Sequence, residues 1–120
     1  MRKHLLAFIF LTQSLIGLSQ FSDDFSDGDF TSNVSWLGDT GAFEVDADLK
    51  LHLNDSIANT SYLSTQSQAI VNASWEFNVK MDFDPSISNY AEVYLVANNY
   101  DLTANLNGYF VKIGGESGVV

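Results

Sequence analysis

An all-β, antiparallel sandwich is the fold class this sequence predicts, and three observations carry it. Residues 74–84 alternate without a break: Trp75, Phe77, Val79, Met81 and Phe83 fall on one side, and Ser74, Glu76, Asn78, Lys80 and Asp82 on the other. That is the two-residue period of a strand buried on one face. Clusters of turn-forming residues recur between the apolar segments, at 26–29, 38–41, 54–56, 84–86 and 98–101. Helical character is convincing only in the first 19 residues. Short strands separated by turns at this spacing favour a sandwich or barrel over an α/β fold.

Taken in order, the chain opens on a leader. Arg2, Lys3 and His4 precede an apolar stretch at 5–18 that is interrupted by Thr12, Gln13 and Ser14. The stretch is shorter than the ~20 apolar residues a membrane-spanning helix needs, so it reads as the helix of a signal peptide. Gly17 and Ser19 supply small residues at the minus-three and minus-one positions, which puts the cut between Ser19 and Gln20. The expected organisation is a signal peptide at 1–19 and a β-sandwich domain at 20–120, with no membrane span after cleavage.

Strands are expected at 21–25, 42–45, 48–54, 61–65, 74–84, 90–98 and 108–113. In 48–54, Leu49, Leu51 and Leu53 are expected to point inward, and Lys50 and His52 outward. The segments 90–98 and 108–113 are apolar on both faces, as central strands are. Gly114 and Gly115 lead into a polar stretch and then Val119 and Val120, which read as the opening of another strand. The sandwich is therefore expected to be incomplete at its C-terminus.

Composition narrows the partners. Past residue 19 only Lys50, Lys80 and Lys112 stand against fifteen acidic residues, a net charge of −12 with histidine neutral. Three isolated lysines on so acidic a chain form no patch for nucleic acid or anionic lipid. Cysteine is absent, which excludes disulfides, thiolate metal sites and a cysteine nucleophile together.

Two polar clusters are candidate sites. Asp23, Asp24, Asp27 and Asp29 surround Gly28. Hard oxygen ligands on a turn suit calcium, although the spacing is not that of an EF-hand, and an acidic turn at a strand end is the alternative. The second cluster is Tyr94, Asn98, Asn99, Tyr100, Asp101 and Asn107, with Asn105 and Tyr109 near it. Aromatic rings with amides and a carboxylate can stack on and hydrogen-bond to a sugar, and ordinary β-loops share that composition. His52, the one histidine outside the leader, reads as an exposed strand residue rather than part of a Ser-His-Asp arrangement. Sequons at Asn33, Asn54, Asn59 and Asn72 are read as unmodified under a bacterial-type leader.

Several segments together carry a family resemblance: Phe21-Ser-Asp-Asp-Phe25-Ser-Asp-Gly-Asp-Phe30, Trp36 with Gly38, Trp75-Glu-Phe77, Asp84-Pro-Ser86, Asn89-Tyr-Ala91, Val93-Tyr-Leu95 and Asn107-Gly-Tyr-Phe-Val-Lys-Ile-Gly114. In this order they resemble the N-terminal domain of large secreted bacterial surface proteins, many of which carry lamin-tail domains and a C-terminal sorting signal. That domain is similar in turn to the concanavalin A-like lectin and glucanase jelly roll. The resemblance implies a jelly-roll sandwich, a secreted or cell-surface location, and more chain than is present here. It implies fold and location more firmly than activity; the expected function is a non-catalytic surface module that binds an extracellular glycan or cell-surface component, or that spaces downstream domains. A glucanase-type glycoside hydrolase is the alternative. Such enzymes use a Glu-x-Asp-x-Glu strand, and Glu44-Val-Asp46-Ala-Asp48 comes nearest, with a shorter acid in third place. No catalytic residue is assigned.

Overall fold

The computed structural model describes residues 21–115. The expected leader at 1–19, its cleavage point before Gln20, and the apolar pair Val119 and Val120 lie outside the described residues. Six strands and one 3-10 turn make up the regular structure: β1 (Leu37–Gly38), the turn Thr40–Ala42, β2 (Phe43–Val45), β3 (Leu51–Leu53), β4 (Leu63–Ser64), β5 (Tyr90–Ala97) and β6 (Gly108–Gly114). The described chain is thus β-structured, with no α-helix. Among the described residues no helix is long and apolar enough to cross a membrane.

The strands pair as three antiparallel two-stranded sheets, β1 with β4, β2 with β3 and β5 with β6. In the first, Leu37 lies opposite Ser64 and Gly38 opposite Leu63. Gly38 has φ +126, and a Cβ there would stand 2.5 Å from the carbonyl oxygen of Tyr62 and 2.9 Å from its ring. Only glycine lets β1 approach this closely. Asp39 fastens the pair from the next position: its amide donates to the Tyr62 carbonyl at 2.9 Å, and its carboxylate accepts the Tyr62 amide at 3.1 Å.

The β2–β3 hairpin sets Phe43 opposite Leu53, Glu44 opposite His52 and Val45 opposite Leu51. Its turn is closed by Asp46, whose carboxylate accepts the amides of Asp48 and Lys50, each at 2.9 Å. The same turn takes Leu49 to φ 56 and leaves it 43% exposed. This corrects the expectation of an inward Leu49 on a strand from 48 onward. A short polar side chain that offers backbone donors a local partner competes with the ladder, so the strand begins only at Leu51.

β5 and β6 form the largest sheet. Their register runs from Tyr90 opposite Gly114 to Ala97 opposite Gly108, with a bulge between Tyr94 and Val96. On one face Tyr94 stacks on Phe110 at 5.0 Å between ring centroids. Along the same face Lys112 sits 3.5 Å from Glu92, with its ammonium 3.6 Å from the centre of the Tyr90 ring. Cross-strand pairs of this kind are what hold a sheet together.

Two expected strands do not form. Residues 21–25 carry instead the approach to an acidic turn, in which Phe25 adopts φ 59. Residues 74–84, the segment with the cleanest alternation, belong to no ladder. Trp75, Phe77, Val79 and Phe83 remain between 41% and 45% exposed. Alternation fixes which side chains share a face, but a strand also needs a neighbour to accept and donate its backbone bonds. No described side chain is fully enclosed; the half-buried ones are concentrated on β5, where Ala91 and residues 93–97 are shielded in succession.

Candidate functional site

The loop that joins β5 to β6 is built largely from its own polar side chains. At its neck the Asn98 amide donates to the Asn107 carbonyl at 3.0 Å, and the Asn98 side-chain oxygen accepts the Asn107 amide at 2.8 Å. Asn99 uses its side-chain oxygen to accept the Asp101 amide at 3.0 Å. Asp101 in turn accepts the amide and hydroxyl of Thr103, at 2.9 and 2.7 Å. The Thr103 hydroxyl and amide are the main reason the Asp101 carboxyl is held below its ordinary value. Asn98, Asn99 and Asp101 therefore shape the loop, and Tyr94 lies within β5 against Phe110 rather than at the tip.

Tyr100 is the residue the loop presents, 72% exposed. Its carbonyl accepts the Ser64 hydroxyl at 2.8 Å, which ties the loop to β4. The same tie brings Tyr62 beside Tyr100 and Asp101. Loss of water around the Tyr62 phenol, reinforced by the carboxylates of Asp101 and Asp39, raises its ionisation above the ordinary tyrosine value. Asp39 also borders an open depression of about 380 Å³ lined by Asp55, Asn59, Thr60 and Ser61 among others. There the Asp55 carboxylate accepts the Ser61 hydroxyl at 2.6 Å and the Ile57 amide at 2.9 Å. Two tyrosines, two carboxylates and a polar shelf thus meet where the sequence analysis places only the loop residues. Tyr62 and Asp39 escape a sequence reading because they lie far from residue 100 along the chain and join it through β4.

The acidic turn is organised by hydrogen bonds that its carboxylates accept from nearby residues. Asp23 accepts the Phe25 amide at 2.9 Å with one oxygen and the Trp36 indole N–H at 2.8 Å with the other. Asp24 accepts the Ser26 amide. Asp27 accepts the Asp29 amide at 3.1 Å and the Asn33 side-chain amide at 2.8 Å. Asp29 takes the amides and hydroxyls of both Thr31 and Ser32. Each carboxylate accepts at least one nearby backbone amide, and among the described residues no group of three or more acids or histidines is gathered to hold a metal ion. Asp24 and Asp29 accept from residues of the turn itself, while Asp23 and Asp27 also reach the side chains of Trp36 and Asn33.

The nearest approach to a glucanase strand is dispersed in the same way. Glu44 faces the His52 ring across β2 and β3 at 3.4 Å, and the Asp46 carboxylate is occupied by the turn. His52 is exposed as expected, but Leu53 beside it is 52% exposed as well, which corrects the expectation that Leu53 points inward: with β2 as the one partner of β3 among the described residues, nothing there covers it. Comparison with protein-family models, curated proteins and solved structures finds no match to this chain.

Proposed function

We propose that this chain is an exported, non-catalytic β-sandwich module of the concanavalin A-like kind, which holds an extracellular glycan against the loop between β5 and β6. The observation that carries the reading is Tyr100: a ring 72% exposed, on a loop fixed by its own hydrogen bonds, beside Tyr62 and Asp101. A planar apolar ring offers the face of a sugar a stacking surface, and the carboxylates and phenol around it offer partners for hydroxyls. A loop already fixed by internal bonds loses little freedom when it binds, which favours a shallow site. The leader at 1–19 and the acidic surface support an extracytoplasmic location. The family resemblance supports the sandwich.

Affinity electrophoresis through gels containing β-glucan, xylan or mannan tests the proposal. At least one polysaccharide should retard the protein. Tyr100→Ala should weaken that retardation about fivefold, the equivalent of about 1 kcal/mol for one aromatic contact. Unretarded migration in all three gels, or full retardation of Tyr100→Ala, would overturn it.

A further inference from the structure

Asn107 precedes Gly108 at the start of β6, and it is the sole Asn-Gly pair in the sequence. Such a pair is reactive only where the glycine amide nitrogen is free to approach the asparagine side chain. The ladder decides that here. The Asn98 amide donates to the Asn107 carbonyl at 3.0 Å, so one main-chain bond continues the bonded register past the last ladder pair, with the Asn98 side-chain oxygen standing in for its carbonyl toward the Asn107 amide. In an antiparallel ladder hydrogen-bonded pairs alternate with pairs whose N–H and C=O groups point away from each other. Ala97 and Gly108 are the next pair inward. The Gly108 N–H is therefore directed away from β5, toward an edge that no described strand occupies.

Two further features favour reaction. Asn107 and Gly108 are both exposed. It is the Asn107 backbone amide, not its side chain, that engages Asn98, at 2.8 Å. The carboxamide is thus left without a hydrogen-bond partner among the described residues, and nothing needs to be broken for it to swing toward Gly108.

We propose that Asn107 is a self-modifying site that converts to aspartate and isoaspartate in the folded protein. The Gly108 nitrogen, giving up its proton to water, attacks the side-chain carbonyl carbon of Asn107. A new C–N bond closes a five-membered imide as the old one breaks, and ammonia leaves carrying the released proton. Water then opens the ring at either carbonyl. Cleavage on the side-chain side gives an ordinary aspartate at this position, and cleavage on the main-chain side gives isoaspartate, with one extra methylene in the backbone. No oxidant or second enzyme is needed. Both products add a negative charge, and the isoaspartyl form displaces the paired groups of Asn98 and Asn107. The modification therefore loosens the loop that carries Tyr100, and it does so without depending on what that loop binds.

Incubation of the full chain at mildly alkaline pH, followed by peptide mass spectrometry, tests the site. The peptide spanning residues 107 and 108 should gain about 1 Da with time and split chromatographically into aspartyl and isoaspartyl forms. Denatured protein serves as the reference for a fully free Gly108 nitrogen. The folded chain should react within about tenfold of that reference, because its ladder leaves the N–H outward. Asn107→Gln keeps the backbone donors at the neck and should abolish the gain. A folded rate more than about tenfold slower than the denatured one would overturn the proposal, since it would mean that the fold hides the Gly108 nitrogen. Equal gain at peptides bearing other asparagines would overturn it as well.

Discussion

Individual carboxylates in this chain serve mainly to close turns, and Asp29 shows the consequence most sharply. It accepts from the Ser32 hydroxyl and from the amide and hydroxyl of Thr31, and these bonds, Ser32 foremost, hold its carboxyl far below the ordinary value of 3.8. Hydrogen bonds donated to the charged form favour that form. The folded value lies below the unfolded one, so the contribution of Asp29 to stability is in place above pH 3.8 and is lost as pH falls through the lower folded value. Carbon-detected NMR titration should find Asp29 still ionised at pH 3.8, and Ser32→Ala should move its midpoint upward. A midpoint at the ordinary value in the parent protein, or no movement in the variant, would contradict this account. The sequence shows four aspartates close together but not what each oxygen faces. Asp23 accepts from Trp36, thirteen positions further along the chain, and spacing alone does not distinguish that latch from a ligand set.

Elements are legible where local pattern and long-range partner agree. Residues 90–98 and 108–113 read as strands apolar on both faces, and they pair with each other almost over those bounds. The hairpin of β2 and β3 is legible too, with its ends shortened by the Asp46 turn. The two-residue β1 is not, because no periodicity can be read from Leu37 and Gly38; it exists through its pairing with β4. The opposite error is instructive at 74–84, where a clear pattern lacks a ladder. Hydrogen exchange separates pattern from pairing: amides of 75–81 should exchange early, while the bonded amides of β5 and β6 should be protected by orders of magnitude more. Comparable protection in the two regions would show that 74–84 is paired in solution, as its alternation predicts.

Among the described residues a few ties span long stretches of chain: β1 pairs with β4, the Ser64 hydroxyl bonds the Tyr100 carbonyl and so ties that sheet to the β5–β6 loop, and the Gly115 amide bonds the Ser86 carbonyl at 3.1 Å. Contacts so far apart in sequence are slow to form and leave sheet edges open until late. Two of the five basic residues, Arg2 and Lys3, stand at the head of the apolar stretch, and the remainder of the chain is acidic throughout. In the proposed reading this stretch is an export signal that is removed rather than an anchor, because its apolar run falls short of a span. Cleavage between Ser19 and Gln20 would change the net charge from −10 to −12 by removing two bases and no acid. It would also expose a glutamine whose amino group can close on its own side chain. Mass spectrometry of secreted protein should therefore find a first residue of Gln20 or its cyclised form, and Gly17→Leu should block processing by filling the minus-three pocket. Secreted protein that retains Met1, Arg2 and Lys3 would refute the leader and withdraw the main support for an extracytoplasmic role.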